Sequence, residues 1–214
     1  MDELITMNIS DITCLLFDLD DTLYPQDNGI WEMIGNRINQ FLVEQMHFSP
    51  DDVPSLRHQL WEKYGTTLRG LQEEFSVDTA AYLDFVHDIP LETVLSPNAE
   101  LDLLLTRIPQ RKVIFTNACA KHALGVIDIL GIRHHFDAII DVYIMTPYCK
   151  PQYEAYQKAL DFLAISPENC VLIDDSPRNL ETAQAFGMGT ISVGIHHHDS
   201  SPHINSIKDL LSVL

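Results

Sequence analysis

The stretch Ile12-Thr13-Cys14-Leu15-Leu16-Phe17-Asp18-Leu19-Asp20-Asp21-Thr22-Leu23 decides how the rest of this chain is read. Its apolar half predicts a buried strand over 12–17, and its acidic half leaves that strand at the C-terminal end. Side chains alternate across a strand, so Asp18 and Asp20, two residues apart, point into the same space. In open α/β folds, ligands sit outside the carboxyl ends of the strands. Like charges held close together there are costly unless a cation or a chemical task requires them.

Four more apolar runs, at 112–116, 137–140, 170–174 and 190–193, predict about five strands in all. Helical patterns separate most of them. Residues 119–130 end at Gly131, 152–163 follow Lys150-Pro151, and 178–186 run from Ser176-Pro177 to Gly187. These are ordinary start and stop signals. Alternation of strand and helix implies an α/β fold, a parallel sheet with helices on both faces. Between the first and second strands about 90 residues intervene, far beyond an ordinary crossover. Segments 30–46, 51–64, 67–75 and 78–87 in that gap carry helical periodicity, and Ser49-Pro50-Asp51-Asp52 resembles a helix start. A helical insert at this point would stand over the acidic strand end as a cap.

Size and composition bound the possibilities. A chain of 214 residues suffices for one packed domain with an insert or for two small domains, and 46% apolar residues is globular composition. No apolar run approaches the roughly 20 residues of a membrane span. The start, Met1-Asp2-Glu3-Leu4-Ile5, is acidic rather than basic, unlike a secretory signal. Cys14, Cys119, Cys149 and Cys170 form no Cys-x-x-Cys pair and read as reduced thiols in a cytoplasmic protein. A net charge of −18 makes nucleic acid polymers and anionic membranes poor partners. A small anionic substrate is compatible with that charge only where a divalent cation inverts the local field.

The remaining strand ends supply further groups. Thr116-Asn117 ends the second strand with a hydroxyl and an amide, donors to an anion that add no charge. Lys150 precedes a helix start, where an ammonium suits phosphate. Asp174-Asp175-Ser176 ends the fourth strand, with Asn179 four residues after Asp175, and carboxylates there suit a hard ion such as Mg²⁺. Each of these signals alone describes a turn, a surface charge or a helix cap. Together they fall at successive strand ends around one sheet edge.

The four motifs Asp18-Leu19-Asp20-Asp21-Thr22, Thr116-Asn117, Lys150-Pro151 and Asp174-Asp175-Ser176-Pro177-Arg178-Asn179 resemble those of the haloacid dehalogenase-like phosphohydrolases, across nearly the whole chain. The resemblance implies a Rossmann-like core formed by residues 1–24 and 92–214, with a helical cap over 25–91. It implies Asp18 as nucleophile, Asp20 as acid and then base, and Lys150 and Thr116 as stabilisers of the phosphoryl group. Thr22 would shape the loop, and the Asn117 backbone would contact the substrate. Mg²⁺ would be held by Asp18, Asp175 and the Asp20 carbonyl, with Asp174 and Asn179 in support. Asp20 favours phosphate esters over carbon–halogen bonds, because an alkoxide needs a proton and a halide does not.

A narrower resemblance, to pyrimidine 5′-nucleotidases, rests on Phe17–Pro25, on Tyr64-Gly65-Thr66-Thr67-Leu68-Arg69-Gly70-Leu71 and on Cys149-Lys150-Pro151. It implies substrate contacts from Tyr64 and Arg69 and a nucleoside monophosphate as partner, acted on by a monomer or homodimer. The alternatives are a phosphatase for a sugar phosphate or phosphoglycolate, a phosphomutase, and a non-catalytic phosphate-binding regulator. Trp31 and Trp61 read as cap packing residues and Arg178 as facing solvent. His122 and Lys121 start a helix near Asn117, which allows proximity to the substrate without assigning either a role. His196-His197-His198 and His203 read as a solvated loop after the last strand.

Overall fold

In the alternation along β1 (Cys14–Phe17) each residue chooses a side: Leu15 and Phe17 pack into one apolar cluster, Cys14 and Leu16 into another. The same division holds along β2 (Arg111–Phe115), where Ile114 opposes Val113 and Phe115. It holds again along β4 (Cys170–Asp174), where Val171 and Ile173 oppose Cys170 and Leu172. Strands buried on both faces are the mark of a parallel sheet covered by helices. The computed structural model describes residues 11–214, so the acidic Met1–Ile5 start lies outside the described residues.

Six strands form that sheet, all parallel, in the order β3-β2-β1-β4-β5-β6, with β3 at Ala138–Ile140, β5 at Gly189–Val193 and β6 at His203–Ile204. This is the doubly wound, Rossmann-like order, with its switch point between β1 and β4. The sheet expected at about five strands has a sixth among the described residues. β6 has only two residues and no apolar run, and it exists because Ser192 and Val193 pair with His203 and Ile204. His203 therefore stands in a strand rather than in a solvated loop.

Helices cover both faces. α5 (Ala99–Thr106) and α6 (Ala120–Leu130) bury Leu101, Leu105, Val126 and Ile127 against one face. After the single turn of α7 (Val142–Met145), α8 (Tyr153–Leu163) and α9 (Pro177–Ala185) bury Tyr156, Leu160, Leu180 and Ala183 against the other. α6 stops at Gly131, whose φ of 76° is a left-handed conformation that favours glycine. Among the described residues no helix is long and apolar enough to cross a membrane.

The insert after β1 is a helical cap made of α1 (Ile30–Glu44), α2 (Val53–Tyr64), α3 (Thr67–Phe75) and α4 (Thr79–Val86). Thr66 starts α3 by accepting the Arg69 N–H at 3.0 Å, and Asp78 starts α4 by accepting from Ala80 and Ala81. α2 begins two residues later than expected, because Asp52 closes a turn onto the Ser49 carbonyl and leaves Pro54 in the first helical turn. Ile30, Leu42, Leu83 and Val86 join the same apolar cluster as Leu15 and Phe17, so the cap shares a core with one face of the sheet.

α2 and α3 meet at Gly70, where an added Cβ would lie 2.6 Å from Leu60 Cδ2 and 2.7 Å from Leu60 Cβ. Overpacking costs about 1–3 kcal/mol, against a helix-propensity gain of about 1 kcal/mol for Gly→Ala. Gly70→Ala should therefore lower the unfolding free energy in a urea titration; a gain in stability would mean that the two helices are not held this close.

Candidate active site

Strand pairing builds the site. Phe17 of β1 is in register with Ile173 of β4, so the next residues, Asp18 and Asp174, emerge side by side. The Asp18 N–H donates to the Ile173 carbonyl at 2.9 Å, which extends the pairing one step past β1. On the other flank Thr116 follows β2, and its N–H donates to the Ile140 carbonyl. Lys150 arrives from the chain ahead of α8 and is 1% exposed. Its Nζ donates to Asp18 Oδ1 and to Asp174 Oδ2, each at 2.8 Å. The Asn117 side chain holds the Lys150 backbone from both sides, donating to its carbonyl at 2.9 Å and accepting its N–H at 2.8 Å. Asn117 thus uses its amide to seat the lysine.

Asp174 and Asp175 differ in availability. Asp174 is fully buried and accepts from Ser176 N–H, the Asn179 amide and Lys150. Asp175 accepts only the Gln26 amide at 3.0 Å among the described residues. Oxygens of Asp18, Asp174 and Asp175 all lie within 4.8 Å of one another. One ammonium faces these three carboxylates, which leaves two negative charges uncompensated. Burial, with Asp174 and Asp175 nearby, pushes the Asp18 carboxyl well above its ordinary range despite Lys150. Burial and Asp174 push Asp175 up to about 6, and burial with Asp175 and Asp20 pushes Asp21 up to about 7. Burial opposes the charge on Lys150 as well, but Asp174 and Asp18 outweigh it and hold the amine above its usual range. A divalent cation with a preference for oxygen removes the surplus charge, and Asp18 and Asp175 have carboxylate oxygens left to bind it. The donor set fits Mg²⁺.

Asp20 lines the same cavity as Asp18, but its carboxylate is held by groups that sequence reasoning passed over. Tyr24 Oη donates to Asp20 Oδ1, and His122 Nε2 lies 3.0 Å from the same oxygen. Burial raises the Asp20 pKa, but His122 and the Tyr24 hydroxyl outweigh it and hold the group below the ordinary range. His122 is wholly buried in the first turn of α6, and its ring stacks on His87 with centroids 4.3 Å apart. The available signal was position: the helix that follows Thr116-Asn117 must start beside the strand ends.

The cavity has a volume of about 900 Å³. Its floor includes Asp18, Asp20, Thr116, Asn117, Lys150 and Asp175; its walls come from the cap. Trp31 and Trp61 are each 47% exposed and face this space, contrary to the expectation that they pack inside the cap. Arg178 also lines it and lies 4.9 Å from the Trp61 ring, so it does not simply face solvent. His196 reaches the cavity too.

Thr22, expected to shape the loop, and Tyr64 and Arg69, expected to contact the substrate, are not among the residues that line the cavity. Thr22 is 1% exposed, and its hydroxyl is buried without a hydrogen-bond partner among the described residues. Tyr64 turns its hydroxyl to Glu74 at 2.8 Å, and Arg69 pairs with Glu73 on the next turn of α3. Their neighbour Gly65 has the structural role. At φ 92° its Cα faces the backbone of Lys150-Pro151 so closely that a Cβ would lie 2.9 Å from Pro151 Cδ.

The haloacid dehalogenase-like hydrolase signature matches residues 12–187. The chain belongs to that family. Over 92% of its length this hydrolase is 26% identical to phosphate metabolism protein 8 of Saccharomyces cerevisiae, covering 70% of that protein. It is 23% identical to phosphoglycolate phosphatase of Chromobacterium violaceum, over 97% of this chain and 99% of that one. Its fold is similar to that of CbbY from Rhodobacter sphaeroides in complex with phosphate, with a TM-score of 0.67, 19% identity, and coverage of 95% of this chain and 99% of that one.

Two measurements check the electrostatics. A carboxyl whose folded pKa is raised binds a proton that the unfolded chain has already released, so it stabilises the fold at low pH and loses that contribution as pH rises through the folded value. Asp175 and Asp21 therefore make the metal-free protein less stable between about pH 4 and pH 7 as pH increases. Mg²⁺ should raise Tm more at pH 8 than at pH 5, and equal increments would remove Asp175 from the metal site. Removing one partner from a buried ion pair costs about 3–5 kcal/mol. Lys150→Met should lose stability on that scale in urea without Mg²⁺, and a neutral result would mean that Lys150 is not sealed between the two carboxylates.

Proposed function

We propose that this hydrolase is a Mg²⁺-dependent phosphatase that cleaves small phosphate monoesters through an aspartyl-phosphate on Asp18. The observation that carries the proposal is the contact of Lys150 with Asp18 in a cavity that also presents Asp20 and Asp175. An Asp18 oxygen attacks phosphorus as the ester P–O bond breaks, and the electron pair leaves on the alcohol oxygen. Asp20 supplies the proton that oxygen needs. A water molecule then attacks the phosphoryl group, Asp20 takes its proton, and phosphate and Asp18 are released. Lys150 and the donors around Thr116 hold the equatorial oxygens where charge accumulates. A bound Mg²⁺ would be held by Asp18, Asp175 and the Asp20 carbonyl, and would neutralise charge on the phosphoryl group. Asp20 is held low in the resting site, which is the base form used in the second half; for the first half it must be protonated as the ester binds.

Residues 25–91 act in this reading as the cap that selects the substrate, and a nucleoside 5′-monophosphate is the class it takes. Trp31 and Trp61 support this, since exposed aromatic faces in a cavity of about 900 Å³ can stack a base. Phosphoglycolate, the substrate named for the Chromobacterium relative, would leave most of that volume empty. Hydrolysis of a panel of monoesters, with Mg²⁺ and with EDTA, tests the reading. UMP and CMP should exceed AMP, and a flat profile would remove the nucleotidase assignment.

Asp18→Asn should abolish turnover while the protein stays folded, and near-normal activity would rule out Asp18 as nucleophile. Asp20→Asn should keep Mg²⁺ binding and lose most turnover. Stacking a base on an aromatic ring is worth about 1–3 kcal/mol. Trp61→Ala should lower kcat/KM for UMP by roughly tenfold or more and leave a ribose 5-phosphate control nearly unchanged, since that ester has no base to stack.

A further inference from the structure

We infer that His122 is a positioning residue for Asp20, acting with Tyr24, and that it decides which Asp20 oxygen delivers the proton. The inference rests on the phosphatase reading above and concerns a residue that no motif includes.

Both donors converge on one atom. His122 Nε2 lies 3.0 Å from Asp20 Oδ1, and Tyr24 Oη donates to that same oxygen. No donor among the described residues reaches Asp20 Oδ2, although Asp20 lines the cavity beside Asp18. A protonated carboxyl has one oxygen that accepts and one that carries hydrogen. With Oδ1 saturated as an acceptor, the hydrogen belongs on Oδ2, the oxygen left free to meet the alcohol.

His122 is built to hold this bond. Its side chain is 0% exposed, and His87 stacks on its ring at 20° between planes. Its Nδ1 is buried with no partner among the described residues, so the nitrogen that faces Asp20 is the one with a use for its hydrogen. The helix that carries it is pinned at its first residue, where the Ala120 N–H donates to Asp141 Oδ2 at 2.9 Å. Tyr24 is 3% exposed and sits four residues after Asp20 on the same loop. The carboxyl plane is thus fixed from two directions by buried groups. A group acting on the reacting proton gains typically 10²–10⁴-fold from correct placement, so loss of orientation alone is measurable.

The test separates orientation of the acid from general damage by the demand of the leaving group. An alkyl phosphate such as UMP expels a strongly basic alkoxide and needs the proton. p-Nitrophenyl phosphate expels a stabilised phenolate and does not. The ratio kcat/KM covers only the steps through loss of the leaving group, so it is free of the later hydrolysis of the aspartyl-phosphate. His122→Leu should lower kcat/KM for UMP and for glycerol 1-phosphate by roughly 10- to 100-fold and for p-nitrophenyl phosphate by less than about threefold. His122→Gln can place an N–H near the position of Nε2 and should recover much of the alkyl-ester rate. His122→Asn, equally polar but shorter, should not. Tyr24→Phe should shift the same ratio in the same direction.

Equal losses on alkyl and aryl esters in His122→Leu would overturn the inference, as would an Asn variant as active as the Gln variant. If the Leu variant does not fold, the Gln and Asn pair decides the matter alone. A wild-type enzyme inactive on every ester would defeat the phosphatase reading, and this inference with it, whereas an active wild type with unselective His122 variants defeats the inference only.

Discussion

A buried ammonium between two buried carboxylates is the constraint on which the rest of this structure depends. Taking Lys150 out of water costs several kcal/mol unless its partners are placed well. Two contacts of 2.8 Å meet that demand, and they require Asp18 and Asp174 to leave neighbouring strands at the same level. The register of Phe17 with Ile173 supplies that level. Asn117, from the end of β2, grips the backbone that carries the lysine. Lys150 therefore ties together the ends of β1 and β4 through its side chain and that of β2 through its backbone, and the geometry of the site follows from sheet pairing rather than from any loop acting alone. The same arrangement leaves more negative charge than one lysine can balance. That surplus can be relieved by proton uptake, which the raised Asp18 and Asp175 carboxyls favour, or by a cation that prefers oxygen ligands.

The parts of the site legible in the sequence were those that sit on a strand end. Asp18, Thr116 and Asp174 are local in the chain, next to apolar runs whose period fixes where the side chain goes, whereas Lys150 stands in the segment between α7 and α8 and was marked only by the helix start that follows it. Residues on the cap helices obey no such rule. A helix shows which face is apolar but not what that face looks at, so Trp31 and Trp61 read as packing residues and turned out to line the cavity. Tyr64 and Arg69 were expected to meet the substrate from the narrower resemblance, but Glu74 and Glu73 lie within reach and draw their polar ends aside. β6 was invisible because two residues carry no period, and only pairing with Ser192 and Val193 makes them a strand. His122 shows a different limit: its place at the start of the helix after Thr116-Asn117 put it near the strand ends, but its bond to Asp20 spans 102 residues of chain and nothing local names that partner.

The cap is bound to the chemistry through contacts that are steric as much as apolar. α2 ends at Gly65, and the absence of a side chain there lets the cap backbone lie against the Lys150 carbonyl and Pro151. Cys149 adds a contact from its thiol to the Tyr64 carbonyl at 3.4 Å, and Thr66 approaches the same sulfur. At the other end of the insert, His87 stacks on His122, which holds Asp20. The two seams therefore end on different groups of the cavity floor, one at Lys150 and one at His122, the partner of Asp20. Trp61 stands four residues before Gly65, so the turn that offers an aromatic face to the cavity is the turn that abuts Lys150. A shift of α2 large enough to withdraw Trp61 from the cavity would also disturb the packing that seats the lysine. The cavity wall and the seat of Lys150 are in this way joined through one close contact, which is the physical reason a glycine stands where α2 meets the Lys150-Pro151 backbone.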